Sequence, residues 1–74
     1  MLYDKIVISD PSIMLGKPII KGTRITVELI LRKLSNGFDY DEILEAYPHL
    51  TKEDILAVLA YSADVISKEE LIVN

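Results

Sequence analysis

Residues 38–54 have the sequence FDYDEILEAYPHLTKED, which spans one short helix, a connection and the start of another helix. Asp39 is a predicted N-cap whose capping box closes at Glu42. Phe38 and Ile43 flank this start with the spacing of a hydrophobic staple. A helix with both devices has a fixed beginning and a fixed entry angle.

The connection after this helix is short. Pro48 ends the helix, because the residue before a proline is pushed out of the α region. Leu50 and Thr51 then repeat the staple and the cap, so a third helix is predicted from Lys52 to about Ile66. Two helices joined so closely are typical of a helix-turn-helix.

A first helix is predicted upstream of this pair. Thr26 can cap it, and Asn36 and Gly37 end it. Its apolar residues have helical spacing and are Val27, Ile30, Leu31 and Leu34.

Residues 16–27, GKPIIKGTRITV, mix apolar, turn-forming and cationic residues. We interpret them as a strand pair, Ile19-Ile20 against Thr23-Ile25, turned at Lys21-Gly22. Glycine permits the positive φ of a turn, and β-branched residues favour extended chain. The cations expected close together on this platform are Lys17, Lys21 and Arg24.

Composition limits the size of the core. With 74 residues and no cysteine, the chain is predicted to be one small domain with neither a disulfide nor a thiolate zinc site. Because 50% of its residues are hydrophobic, a homodimer or a tight protein partner is expected to cover apolar surface. No apolar run approaches the length of a membrane span, so a soluble, cytoplasmic protein without a membrane partner is expected.

The third helix is apolar around most of its circumference, which predicts burial on more than one side. The second cover can come from the N-terminal segment, another subunit or a partner protein. The predicted core stripe is Ile55, Val58, Leu59, Ser62 and Ile66. The predicted dimer or partner interface residues are Ile19, Ile20, Ile25, Leu56, Ala60 and Tyr61.

A helix-turn-helix that bound DNA would bring the start of its third helix nearest to the major groove. Beyond Lys52, however, the predicted third helix has no cation, asparagine or glutamine to read bases. Phosphate contacts are therefore expected mainly from the cations around the first helix. The candidate DNA-binding residues are Lys17, Lys21, Arg24, Arg32, Lys33, Thr51 and Lys52.

Several of these residues also have purely structural interpretations. The basic hairpin can fold over the helices or pair with another subunit's strand. Arg24 can pair with an acidic residue of the helical core, and Thr51 can serve chiefly as a cap. His49 has no second ligand at metal spacing and no nucleophile partner, so no metal, cofactor or catalytic activity is expected.

The order of motifs resembles the domain-of-unknown-function 433 family over roughly residues 8 to 64. The similar segments are Met14 to Val27, Gly37, Asp41-Glu42-Ile43-Leu44, Tyr47-Pro48-His49-Leu50-Thr51, Asp54-Ile55 and Ala57 to Tyr61. Leu15 departs from the family pattern, which often has a second glycine there.

The resemblance implies a mainly α fold, with a three-helix homeodomain-like helix-turn-helix core preceded by a short β-hairpin or strand element. In the single predicted domain, residues 1–25 form the β element, 26–66 the helix-turn-helix core and 67–74 a tail. The resemblance further implies the antitoxin half of a toxin-antitoxin pair, whose toxin is a PIN-like ribonuclease.

Two functional hypotheses follow. In the first, a dimeric antitoxin contacts its own promoter DNA while its apolar and acidic surfaces occupy a basic ribonuclease. The net charge of −4 favours such a partner, because complementary potential steers the encounter. In the second, a protein-protein interaction module keeps the helix-turn-helix fold without binding DNA.

Overall fold

Three helices and one short antiparallel sheet form the described chain, residues 3–73 of a computed structural model with side chains described through Lys68. The elements are β1 (Val7–Ile8), β2 (Ile19–Ile20), α1 (Val27–Ser35), α2 (Tyr40–Ala46) and α3 (Lys52–Val73). The predicted fold class is confirmed: the fold is mainly α, with α2 and α3 as the helix-turn-helix pair and a short β element before them. Residues 1, 2 and 74 of the predicted domain lie outside the described range.

All three predicted N-caps form hydrogen bonds. The Thr26 hydroxyl accepts the backbone N–H three residues on, at 3.0 Å. At α2, the Asp39 carboxylate accepts the Glu42 N–H at 2.8 Å, and the Glu42 carboxylate accepts the Asp39 N–H at 3.1 Å. Thr51 and Asp54 make the same reciprocal pair at α3, at 3.0 and 3.3 Å. These bonds satisfy backbone donors that a helix start otherwise leaves without partners.

The helix ends agree with prediction at α1 and α2 but not at α3. Tyr47, before Pro48, leaves the helical region with φ −129° and ψ 78°, and Gly37 takes φ +93° after α1. The predicted end of α3 near Ile66 is wrong, because the helix continues to Val73. Ser67 and the residues after it include neither proline nor glycine, so nothing in the chain interrupts the helix.

β2 pairs with β1, the strand that precedes it by more than ten residues. Val7 lies opposite Ile20, and Ile8 lies opposite Ile19, in antiparallel register. The Lys21 N–H extends the pairing by donating to the Ile6 carbonyl at 2.7 Å. The sheet therefore ties the N-terminal segment to the chain that leads into α1.

The predicted strand at Thr23-Ile25 is wrong, although the turn before it is confirmed. Gly22 takes φ +80°, and the chain does reverse at Lys21-Gly22. On its return it forms an isolated bridge between Ile19 and Thr26 rather than a strand. Thr26 is already the cap of α1, so the backbone enters the helix before a second strand can form.

α3 lies at the centre of the core and packs against α1, α2 and the N-terminal segment. The largest fully buried side chains are Ile19, Ile30, Ile43, Ile55 and Val58. The predicted α3 stripe is confirmed at Ile55 and Val58 but wrong at Ile66, which is 55% exposed. Conversely, Ala57 lies outside the predicted stripe but is fully buried, because packing on several sides encloses the middle of α3.

The tight turn at Met14–Gly16 holds three consecutive residues with positive φ. At its centre, Leu15 takes φ +60° and is 93% exposed. An L-residue in this region costs about 1–2 kcal/mol, and this side chain has little packing to offset that cost. The position where the family pattern often has glycine is thus one where the backbone favours glycine.

Replacing Leu15 by glycine is expected to raise the free energy of unfolding by about 0.5–1 kcal/mol, since relief of backbone strain exceeds the extra entropy of glycine in the unfolded chain. Urea denaturation followed by circular dichroism measures this change. Leu15→Ala is the matched control: it removes the same exposed side chain but keeps Cβ, and should leave stability nearly unchanged. A less stable Leu15→Gly protein would contradict the presence of strain in this turn.

Candidate interaction surfaces

The predicted basic platform is a hydrogen-bonded turn between β2 and α1. The Thr23 hydroxyl donates to the Ile20 carbonyl at 2.7 Å and accepts the Ile25 N–H at 3.0 Å. Lys21 and Arg24 lie exposed on this turn. Both cations are therefore held by a fixed backbone on the surface of the molecule.

Lys17, the third predicted cation of the platform, is instead paired with α1. Its Nζ lies 3.3 Å from one carboxylate oxygen of Glu28, and Nη2 of Arg32 lies 3.2 Å from the other. Sequence reasoning missed Glu28, although its spacing of four residues from Arg32 is typical of a helical ion pair. The interpretation that Arg24 makes such a pair is wrong within the described residues.

Hydrogen bonds from Lys17 and then from Arg32 hold the pKa of Glu28 below its ordinary value. A depressed carboxyl pKa stabilises the folded state at pH above the ordinary value, and this contribution is lost as the pH falls through the lowered pKa. We expect an NMR titration to place the Glu28 midpoint below that of an unperturbed glutamate. Lys17→Met should raise the midpoint and Lys21→Met should not; an unmoved midpoint in both variants would contradict the pairing.

Two other candidate DNA-binding cations lie over aromatic rings. Nζ of Lys33 is 4.8 Å from the centre of the Phe38 ring, and Nζ of Lys52 is 5.3 Å from that of Tyr40. The remaining candidate, Thr51, uses its hydroxyl and its N–H in the cap of α3, as its structural interpretation expected. The start of α3 thus presents few free polar groups to a DNA groove.

Charge is segregated along the chain. Residues 17–33, here called the basic segment, hold five cations and one carboxylate, whereas residues 39–54, the acidic segment, hold six carboxylates and one cation. The acidic side chains are Asp39, Asp41, Glu42, Glu45, Glu53 and Asp54, all exposed except the half-buried Asp54. Their places at the starts of α2 and α3 also suit the helix dipoles. The chain therefore offers two potentials of opposite sign on different elements.

An open groove of about 600 Å³ lies between α1 and the second half of α3. It is here called the α1–α3 groove. Its apolar side chains include Val27, Leu31, Tyr61, Val65 and Ile66, and the ion-paired Lys17, Glu28 and Arg32 also line it. Val65 is 39% and Ile66 55% exposed. Sequence periodicity assigned Ile66 to the core, so this groove was not predicted.

The predicted interface residues fall into three environments. Ile19 and Ile20 are buried in the core of their own chain, so the prediction that their side chains meet a partner is wrong for this conformation. Both lie in β2, which is covered by the α1 start and by β1. Ile25, Ala60 and Tyr61 are half-buried, whereas Leu56 is 39% exposed.

The N-terminal segment supplies one of the expected covers of α3. The Tyr3 ring meets the Tyr61 ring edge-on, with centroids 5.6 Å apart at 84°. The Tyr3 hydroxyl donates to the Asp64 carboxylate at 2.7 Å, which raises the pKa of Tyr3. One of the three alternatives for the second cover of α3 is therefore realised within the chain.

The described residues give two further findings. None of their helices has both the length and the apolar character needed to cross a membrane. In the same part of the chain, no three histidine or carboxylate side chains converge as a metal ion requires, and His49 is exposed.

Comparison with known proteins identifies a family and two similar chains. A family model described as a protein of unknown function (DUF433) matches residues 7–62. An uncharacterized protein of Sinorhizobium fredii, y4eO, is 34% identical over 58 residues, which cover 78% of this chain but only 26% of that protein. The crystal structure of a DUF433 member from Anabaena variabilis superposes with a TM-score of 0.79 at 27% identity, covering 93% of this chain and 69% of that one.

Proposed function

The chain belongs to the DUF433 family of proteins of unknown function, and we propose that it is a non-catalytic cytoplasmic antitoxin, a dimer that binds and neutralises a PIN-like ribonuclease. The observation that carries this proposal is the segregation of charge between the basic and the acidic segments. A protein that masks an RNA-binding enzyme needs an acidic surface, and this chain concentrates one on its helix-turn-helix.

The acidic segment is suited to bind a basic ribonuclease. Asp41 and Glu45 are exposed and lie one turn apart on α2, so their carboxylates share one face of the helix. The capping box at Asp39 fixes where that helix begins. Exposed charges of this kind mainly accelerate association and select the partner, because complementary potentials steer the encounter.

Calorimetric titration of the chain into the PIN-like ribonuclease encoded by a neighbouring gene tests this proposal. We expect saturable binding that weakens as ionic strength rises, because exposed charges are screened by salt. No binding at low salt would overturn the proposal.

Binding of the chain's own promoter DNA is a second role, favoured by the exposed Lys21 and Arg24 on their hydrogen-bonded turn. These two cations would bind phosphates and would position the protein rather than specify a sequence. The alternative is a protein-protein interaction module that binds no DNA. It is supported by the candidates that already have partners: Lys17 and Arg32 at Glu28, and Lys33 and Lys52 over aromatic rings.

A mobility shift on upstream promoter DNA across salt concentrations separates the two roles. Replacing Lys21 and Arg24 together by alanine is expected to weaken binding on all sequences and to lower the salt slope by about two, because two phosphates are no longer neutralised. Lys5→Ala with Lys68→Ala is the matched control, since it removes two cations outside the basic segment. If the wild-type chain binds no DNA even at low salt, the interaction-module alternative holds.

A further inference from the structure

α3 extends well beyond the core that it helps to form. Its 22 residues span about 33 Å at 1.5 Å per residue, whereas α1 has nine residues and α2 seven. The last fully buried side chain of α3 among the described residues is Val58, and every residue from Ala63 to Lys68 is exposed. The second half of α3 therefore carries surface that the described part of its own chain leaves open.

Part of that open surface is apolar and concave. Val65 and Ile66 line the α1–α3 groove together with Leu31 of α1 and with Tyr61, which lies one turn earlier on α3. Large apolar side chains exposed together in a groove are typical of an interaction site. One wall of this groove is the same stretch of α3 that projects from the body.

The total surface also exceeds that of a compact monomer of this mass. The chain exposes 5316 Å², whereas the scaling for folded monomers gives about 4,600 Å² at 8.3 kDa. The excess of roughly 700 Å² is close to the roughly 800 Å² that each partner buries in an interface of standard size. The surplus surface is thus of the amount that one further copy would cover.

We propose that the α1–α3 groove is the self-association surface, occupied by the second half of α3 from a second copy of this chain. The assignment rests on the dimer in the proposed function and gives that dimer its surface. Because α3 is both a wall of the groove and its occupant, a two-fold axis near Val65 and Ile66 makes the two patches mutually complementary. Such an interface closes at two copies and covers both apolar patches at once.

The self-association surface leaves the acidic segment open. Asp41 and Glu45 lie on α2, which contributes no residue to the lining of the groove. A dimer formed through α3 can therefore still present both of its acidic segments to ribonuclease molecules.

Light scattering on Ile66→Glu, with Ala63→Glu as its matched control, tests the surface. Both positions are exposed on α3, so neither variant should unfold, as circular dichroism can verify; Ala63 lies outside the groove lining. We expect twice the 8.3 kDa mass for the wild type and for Ala63→Glu. Ile66→Glu should give the single mass, because two symmetry-related carboxylates facing apolar surface should raise the dimer Kd at least about 100-fold.

A wild-type chain that is still monomeric at about 100 µM would overturn the assignment, because stable interfaces of standard size associate far below that concentration. So would a dimeric Ile66→Glu, or a monomeric Ala63→Glu. The ribonuclease titration distinguishes this proposal from the preceding one: monomeric Ile66→Glu should still bind the ribonuclease. Absence of ribonuclease binding by Ile66→Glu would assign the groove to that partner instead of a second copy.

Discussion

Replacing Ile55 by alanine is expected to lower the free energy of unfolding by about 2–5 kcal/mol, the cost of a large-to-small change in a packed core. Ile55 is fully buried in the first turns of α3 and belongs to the cluster that includes Ile43 of α2 and Ile30 of α1. At typical stabilities per residue a chain of this length has only roughly 4–11 kcal/mol in total. The change should therefore unfold a measurable fraction of the protein.

Leu56→Ala is the matched control for this prediction. It removes a side chain of the same size from the next position of the same helix, but Leu56 is 39% exposed. Its cost should be less than about 1.5 kcal/mol, because exposed substitutions rarely cost more. Urea denaturation of both variants measures the difference. Equal decreases in stability at the two positions would contradict the placement of the core.

The helix starts could be predicted from the sequence because their causes are local. Asp39 and Glu42, or Thr51 and Asp54, lie within one turn of each other, so their hydrogen bonds depend on little outside that turn. Proline acts at the same short range on Tyr47. These signals fix where α2 and α3 begin and how closely they follow each other.

The sheet partner and the groove could not be predicted in this way. Val7 meets Ile20 across a long loop, and no local signal distinguishes that pairing from a hairpin with Thr23-Ile25. Ile66 fits the core periodicity of α3, but whether it is covered depends on where α1 lies. The pairing of Lys17 with Glu28 likewise depends on how the loop before β2 returns to α1.

Neutralising Asp41 and Glu45 together, as Asp41→Asn with Glu45→Gln, is expected to weaken ribonuclease binding about tenfold, or roughly 1.4 kcal/mol. Both replacements keep the size of the side chain and lie on the exposed face of α2. Surface plasmon resonance should show most of the change in the association rate, because exposed charges act chiefly through steering.

Asp4→Lys provides the control for net charge. It also raises the charge of the chain by two, but Asp4 is exposed in the N-terminal segment, away from the acidic segment. Its affinity for the ribonuclease should remain within about twofold of the wild type, since a distant exposed charge is largely screened at physiological salt. A decrease equal to that of the double variant would show that total charge, rather than the acidic segment, governs binding.

The most direct test of the proposed function is the activity of the PIN-like ribonuclease at a fixed concentration of this chain near the wild-type Kd. We expect the wild type and Asp4→Lys to suppress RNA cleavage to the same extent, whereas the Asp41→Asn/Glu45→Gln protein should suppress it much less. Undiminished cleavage in the presence of saturating wild-type chain would contradict the antitoxin proposal, as would equal suppression by the double variant.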